Sequence, residues 1–146
     1  MIHLLRSFVS SLLLLVPLLA AAQTPQRQSL AEMLRASKWQ KRLVLLCTPT
    51  ADNAEYKQQK SLLAQDAKAV QERDIQVVDL VANQLSAADK EHLGQQLKVS
   101  LDQFTVLLIG KDGGVKLRQT EPLITQRLFG TIDTMPMRQQ EMRKKQ

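Results

Sequence analysis

Residues 43–47 form an uninterrupted apolar run, Leu-Val-Leu-Leu-Cys, which follows Lys41-Arg42 and ends at Thr48-Pro49-Thr50. A half-exposed strand alternates apolar and polar side chains, whereas a continuous apolar run is typical of a strand that is buried on both faces. A sheet with such a strand needs a covering layer on each side, which helices provide in α/β proteins. The run therefore predicts a strand at residues 41–47 in a sheet covered on both faces.

The remaining segments alternate between helical and extended patterns. Three helix starts have a hydroxyl or acidic residue followed three positions later by an acidic one, the pattern of a capping box. They are Ser29–Glu32, Asp52–Glu55 and Ser86–Asp89. The other predicted strands are residues 75–81, 104–109 and 115–118, and Asp112-Gly113 predicts a tight turn between the last two. A last helix is predicted to begin near Pro122 and to be broken or kinked at Pro136.

The order of predicted elements is αβαβαββα, within a single α/β domain. Strands that are joined through helices pair in parallel with right-handed crossovers, and the hairpin adds antiparallel pairing. This order predicts a mixed sheet of thioredoxin type. In it the third strand runs against the first two, and the fourth turns back on the third.

The first 22 residues have the pattern of a cleavable export signal. Arg6 supplies the charge of a short n-region, residues 8–19 are mostly apolar, and Ala20-Ala21-Ala22 fits a signal peptidase site. A membrane anchor is the competing interpretation, but this run is shorter than the about 20 apolar residues that a spanning helix needs. We expect residues 1–22 to be removed and the protein to be exported, either to a periplasm or out of the cell. The predicted parts are the signal peptide at 1–22, a linker at 23–28, a thioredoxin-like domain at 29–138 and a basic tail at 139–146.

The chain is basic, with a formal net charge of +6, and much of this charge lies in the tail. Nucleic-acid binding is not expected, because few aromatic residues are available for stacking and none alternate with basic ones. The tail is expected to be a solvated, frayed end that makes at most weak contact with anionic lipid. Cys47 and His92 are the one cysteine and the one histidine after the signal. A zinc site of Cys and His ligands is therefore excluded, and no metal or cofactor is expected.

Thioredoxin-type dithiol chemistry requires two cysteines where the first strand leads into the next helix, because the helix dipole stabilises the thiolate there. Residues 48–54 contain no cysteine, and Phe104 stands where thioredoxins have a proline before the third strand. The redox alternative is a one-cysteine thiol peroxidase that uses Cys47, with His92 as a base. Because Cys47 ends a buried strand, we expect it to be structural, and we expect His92 to be solvated. We therefore assign no catalytic residue.

The predicted topology brings seven charged residues to one end of the sheet, opposite the usual thioredoxin active site. Strands one and two begin at this end, the third strand ends there, and the last helix returns to it. We call these residues the charged pole: Arg42, Arg73, Asp74, Lys111, Asp112, Asp133 and Arg138. The interpretation that we favour is a brace of Arg–Asp pairs that holds the last helix on the sheet. The other is a recognition site for a peptide, a glycan or an anionic ligand.

Four segments carry a resemblance to a known family. They are Trp39-x-x-Arg42, Glu72-Arg73-Asp74, residues 104–116 (Phe-Thr-Val-Leu-Leu-Ile-Gly-Lys-Asp-Gly-Gly-Val-Lys) and residues 132–138 (Ile-Asp-Thr-Met-Pro-Met-Arg). On these segments the chain resembles the DUDES domain, a thioredoxin-like family of unknown function. That family occurs in bacterial exported proteins and in extracellular sushi-repeat and matrix proteins of animals. The resemblance implies the fold and an extracytoplasmic setting, and it implies no established activity.

The expected function is that of an exported, non-catalytic thioredoxin-like domain. It would bind a macromolecule or an anionic ligand at the cell envelope or outside the cell. The alternative is the redox enzyme that uses Cys47. Exposure of Cys47 beside Arg or Lys favours the enzyme, whereas burial among Leu and Val contradicts it.

Overall fold

The computed structural model describes residues 28–145, so the predicted export signal and residues 23–27 of the predicted linker lie outside the described residues. The elements are α1 Leu30–Ser37, β1 Arg42–Thr48, α2 Ala54–Gln65, α3 Ala67–Glu72, β2 Ile75–Val81, a 3-10 helix Ala82–Gln84, α4 Ala87–Gln95, β3 Thr105–Ile109, β4 Val115–Gln119, α5 Thr125–Asp133 and α6 Pro136–Lys144. The strand order is β2-β1-β3-β4. β1 pairs in parallel with β2 and antiparallel with β3, and β3 pairs antiparallel with β4. The predicted α/β fold, with its mixed thioredoxin-like sheet, is confirmed.

All residues of β1 are buried, as the continuous apolar run predicts. Leu45 and Cys47 pack on one face of the sheet with Leu30 of α1 and Leu93 of α4. The alternate β1 side chains, such as Leu46, pack on the other face with side chains of α2 and α5. The sheet therefore lies between two helical layers, and β1 contributes to both halves of the core.

Side-chain caps begin several of the helices. The predicted capping box of α1 is present: Ser29 Oγ accepts a hydrogen bond from the Glu32 amide at 3.3 Å, and the Ser29 amide donates to Glu32 at 3.0 Å. Ser86 Oγ accepts a hydrogen bond from the Asp89 amide at 3.1 Å and so caps α4 without the reciprocal bond. The Asp89 carboxylate, however, accepts a hydrogen bond from the Leu30 amide at 2.8 Å. It therefore joins α4 to the first turn of α1 across the surface of the domain.

Two predicted helices differ from the structure at their starts. The N-cap of α2 is Asn53, whose side chain accepts a hydrogen bond from the Tyr56 amide at 2.9 Å, so the predicted cap at Asp52 is wrong. The helical segment that follows is interrupted at Asp66, which divides it into α2 and α3. The last helix, predicted to begin near Pro122, begins at Thr125, and its N-cap residue Ile124 is 56% exposed.

The last predicted helix is broken before Pro136, as predicted: α5 ends at Asp133 and α6 begins at Pro136. Pro136 occupies the first turn of α6, where its missing N–H and fixed φ suit a helix start. α6 continues through Lys144, so residues 139–144 of the predicted tail are helical rather than frayed. Contact of this segment with anionic lipid stays a prediction. Between residues 28 and 145, no helix combines the length and the apolar character needed to cross a membrane.

Candidate functional site

Cys47 lies in the core, with no exposed surface, and its pairing partners in the sheet are Leu80 and Thr105. Burial raises the pKa of its thiol to about 12. A thiol with such a pKa supplies almost no thiolate near neutral pH, and the thiolate is the reactive form. The expected burial of Cys47 is confirmed, and these surroundings contradict the condition on which the one-cysteine peroxidase depends. His92, the base of that redox alternative, lies on α4 and is intermediate in exposure rather than fully solvated as expected.

The charged pole forms where β1 and β2 begin. The Arg42 amide donates to the Asp74 carbonyl at 2.9 Å, and this bond aligns the first residues of the two strands. Asp74 adopts φ 51, a left-handed conformation that Asp tolerates better than most residues, and it turns the chain from α3 into β2. Lys111 follows Gly110 after β3, which ends at the same edge of the sheet. The strand directions therefore bring these side chains together, as the topology predicts.

One half of the cluster is organised around Asp133 at the end of α5. Arg73 donates to both of its carboxylate oxygens, from Nε at 3.0 Å and from Nη2 at 2.7 Å. Arg138 of α6 donates to the same carboxylate from Nε at 3.1 Å, and from Nη1 to the Glu72 carbonyl at 2.9 Å. The Arg73 guanidinium also lies 4.4 Å from the centre of the Phe129 ring. Asp133 therefore connects the segment before β2 with both C-terminal helices.

The other half is organised around Glu141 of α6, which is not one of the seven residues predicted for the charged pole. Both terminal nitrogens of Arg42 donate to its carboxylate at 3.2 Å, and Lys111 Nζ lies 2.7 Å from it. Lys111 Nζ also donates to Asp74 at 2.9 Å. Arg138 Nη1 lies 3.7 Å from Glu141, at the i,i+3 spacing on α6. That spacing, around the single acidic residue of a basic segment, is the sequence signal that indicates the pair.

The two halves share Arg138 and form one connected set, which we call the ionic network. Its members are Lys41, Arg42, Arg73, Asp74, Lys111, Asp133, Arg138 and Glu141. Six of the seven predicted pole residues therefore lie together. Asp112 does not join them, because its carboxylate accepts from Lys116 Nζ at 2.6 Å and from the Gly114 amide at 3.0 Å within the hairpin turn.

The network holds its members in their charged forms. Burial alone raises the pKa of Asp133 and of Glu141, but hydrogen bonds from arginine and lysine outweigh it and lower both values. The hydrogen bond from Lys111 lowers the pKa of Asp74. Burial also opposes the charge of Lys111, and the bonds to Glu141 and Asp74 reverse that effect and raise its pKa. Near neutral pH each of these groups therefore carries its full charge.

Most donors of the network are occupied by acceptors of the protein itself, which fits the brace that we favoured from the sequence. Arg42 is 1% exposed and Lys111 is 9% exposed, so neither presents much surface to solvent. Among the buried nitrogens of the network, Nε of Arg42 has no hydrogen-bond partner within the described residues. Such an arrangement offers no nucleophile, but it provides fixed positive charge at one end of the domain.

A family model described as "Domain of unknown function (DUF4174)" matches residues 33–141, which include nearly all of the described elements. The chain belongs to this family. The match begins within α1 and ends at Glu141, so it covers the sheet, the ionic network and the core residues other than Leu30.

Several relatives are sushi repeat-containing proteins, as the resemblance implied. The human protein SRPX is 33% identical over 113 residues, which cover 70% of this chain and 24% of SRPX. Rat SRPX2 is 30% identical over 112 residues, 69% of this chain and 24% of SRPX2. Coiled-coil domain-containing protein 80 of zebrafish is 27% identical over 139 residues, 79% of this chain and 16% of that protein. The chain thus spans about a quarter of these relatives' length or less; the name DUDES stays a prediction.

Proposed function

We propose that this protein is an exported interaction module without thiol chemistry, which binds a macromolecular partner at the cell envelope or outside the cell. The observation that carries the proposal is the position of Cys47. It lies in the core with its pKa raised to about 12, and the turn from β1 to α2 has no cysteine to replace it. The reactive centre of a thioredoxin-type fold is therefore missing, whereas its packing is intact.

Two further observations support this proposal. The pattern of residues 1–22 is that of an export signal, and the family resemblance implies an extracytoplasmic setting. Related sequences make up a quarter or less of much longer proteins. A domain that recurs as a small part of larger chains suits a binding role beside other modules, although fold alone does not determine function.

The surface that we assign to the partner lies at the hairpin end of the domain and is centred on Trp39. This side chain is 59% exposed, and tryptophan is among the residues that contribute most to protein interfaces. Its backbone is in the left-handed region at φ 66, and its amide donates to the Lys111 carbonyl at 2.6 Å. Lys38 Nζ lies 5.9 Å from the centre of the ring. An exposed aromatic ring held in a strained loop beside cations suits recognition better than packing.

The test is site-specific crosslinking in cells that export the protein. A photoreactive residue replaces Trp39 in one variant and Ile124 in a matched control, since Ile124 is similarly exposed but lies at the start of α5. We expect one discrete crosslinked product from position 39 and none from position 124. The product should be unchanged when Cys47→Ala is added.

Peroxide consumption by the purified protein is measured in parallel, with Cys47→Ala as the reference. We expect both proteins to be inactive. Peroxide turnover that disappears in Cys47→Ala would overturn the proposal in favour of the redox enzyme. Equal crosslinking at positions 39 and 124, or none at either, would overturn the assigned surface.

A further inference from the structure

An open cleft of about 370 Å³ lies beside the ionic network, between the β3–β4 hairpin and the junction of α5 with α6. One side of it carries the cations Arg42, Lys111 and Lys116, and the other side carries Met135-Pro136-Met137. A volume of this size accommodates a small group such as a terminal residue rather than a folded surface. The cleft therefore combines positive charge with an apolar wall.

The charge around the cleft is unbalanced. Three cations line the cleft, and the adjoining ionic network, of which only Arg42 and Lys111 reach the cleft, has five cationic side chains and three carboxylates. Asp112 is the one carboxylate that lines the cleft, and it is paired with Lys116 at 2.6 Å. An additional anion in the cleft would therefore reduce the excess of positive charge without displacing an existing partner.

Arg42 is a buried cation among the residues that line the cleft. Its side chain lines the cleft but is only 1% exposed to solvent. Its Nε has no hydrogen-bond partner among the described residues, whereas both terminal nitrogens are bonded to Glu141. A buried donor without a partner is costly, and native proteins rarely keep one without a reason.

The start of α6 adds to the same site. This helix has nine residues, and its N-cap residue Met135 makes no side-chain cap. The first amides of a helix and its dipole favour an anion at this position. Met135, Pro136 and Met137 all line the cleft, so the uncapped helix start lies at its wall. The last turn of α5 meets the same cleft at Thr131 and Thr134, and the Thr134 hydroxyl is bonded to the Thr131 carbonyl at 2.8 Å.

We propose that the cleft binds a carboxylate attached to an apolar group, as at the C-terminus of a peptide that ends in an apolar residue. The inference rests on the proposed function and gives it a ligand class. The cations of the cleft and the first amides of α6 bind the carboxylate of the ligand, and the flexible methionine side chains pack against its apolar group. A phosphate is the poorer match, because Pro136 removes one helix donor and places an apolar ring where phosphate oxygens need hydrogen bonds.

The experiment is a titration of the purified exported protein followed by amide chemical shifts in NMR spectra. The probe is an acetylated tripeptide that ends in leucine with a free carboxylate. The same peptide with an amidated end, acetate, and inorganic phosphate are the comparisons. We expect saturable shifts at Gly110, Lys111 and Met137 with the free acid, and binding weaker by about tenfold or more with the amide, because a charged hydrogen bond is lost.

Two variants test the residues of the cleft without disturbing the ionic network. Lys116→Gln removes a cation that lines the cleft, and Lys57→Gln removes one that is paired with Asp52 at the start of α2. We expect Lys116→Gln to weaken binding of the free acid several-fold and Lys57→Gln to leave it unchanged. Equal effects of the two variants would contradict a site in the cleft.

Equal binding of the acid and the amide would overturn the proposal, as would shifts that lie outside the cleft. Phosphate or acetate that binds as tightly as the peptide would show a simple anion site and would also overturn it. These failures differ from a failure of the proposed function. A crosslinked product at Trp39 without peptide binding would leave the interaction module standing and reject only the ligand class.

Discussion

Replacing Glu141 by alanine is the most direct test of the ionic network. It removes the partner of both terminal nitrogens of Arg42, at 3.2 Å, and of Lys111 Nζ, at 2.7 Å. Arg42 is 1% exposed and keeps one acceptor, the Arg73 carbonyl at 2.8 Å. Removing one member of a buried ion pair costs about 3–5 kcal/mol, because the other charge stays buried. Since Glu141 itself is 22% exposed and admits water, we expect a loss at the lower end, about 3 kcal/mol.

The assay is equilibrium unfolding in urea, followed by far-UV circular dichroism. With a slope of about 2 kcal/mol/M, the midpoint should fall by about 1.5 M. The matched control is Gln140→Ala, a neighbouring position on α6 that is exposed and should lose less than about 0.5 kcal/mol. Glu141→Gln should lie between the two, because it keeps an acceptor for Arg42. Equal stability of Glu141→Ala and Gln140→Ala would contradict a role of Glu141 in stability and would instead indicate that residues 139–144 are solvated.

Three other predictions concern the core, the thiol and pH. Gln59→Ala should lower the free energy of unfolding by about 3 kcal/mol, because the fully buried side-chain amide of Gln59 is hydrogen-bonded to both the backbone amide and the carbonyl of Leu123. The control Gln58→Ala, at an exposed position, should lower it by less than about 0.5 kcal/mol. Thermal unfolding measures both variants. The Cys47 thiol should react with a thiol reagent only at the rate of unfolding, since its pKa is raised to about 12, and rapid labelling of the native protein would contradict this. The pKa values of the network carboxylates are lowered in the folded state from ordinary values of 3.8 and 4.5, so the folded protein binds fewer protons and its stability should fall as pH decreases through and below these values. The raised pKa of Lys111 has the opposite consequence: its contribution is present below pH 10.5 and is lost as pH rises through the folded value. Unfolding temperatures that stay flat across both ranges would contradict the pH predictions.

The structural features that could be predicted from the sequence depend on residues close together along the chain or on the direction of the strands. The apolar run of residues 43–47 defines a strand with two buried faces, and burial of Cys47 follows from its place at the end of that run. The hydroxyl and carboxylate of Ser29 and Glu32 cap a helix through contacts within one turn. The alternation of helices and strands determines the strand directions, and these bring Arg42 and Asp74 to one edge. All of these are short-range or topological consequences of the pattern.

Which polar residues are buried, and which partners they contact, depends on the tertiary structure. Glu141 in a basic segment looks like a solvated residue, because nothing near it in the sequence indicates Arg42, which is 99 positions away. Gln59 lies on the same helical face as Tyr56 and Leu63, yet only its contact with Leu123, 64 positions away, explains why an amide is there. A local pattern records whether a side chain can be solvated, whereas burial depends on what the rest of the chain places beside it. The ionic network and the cleft next to it therefore emerge only when α6 docks against the sheet.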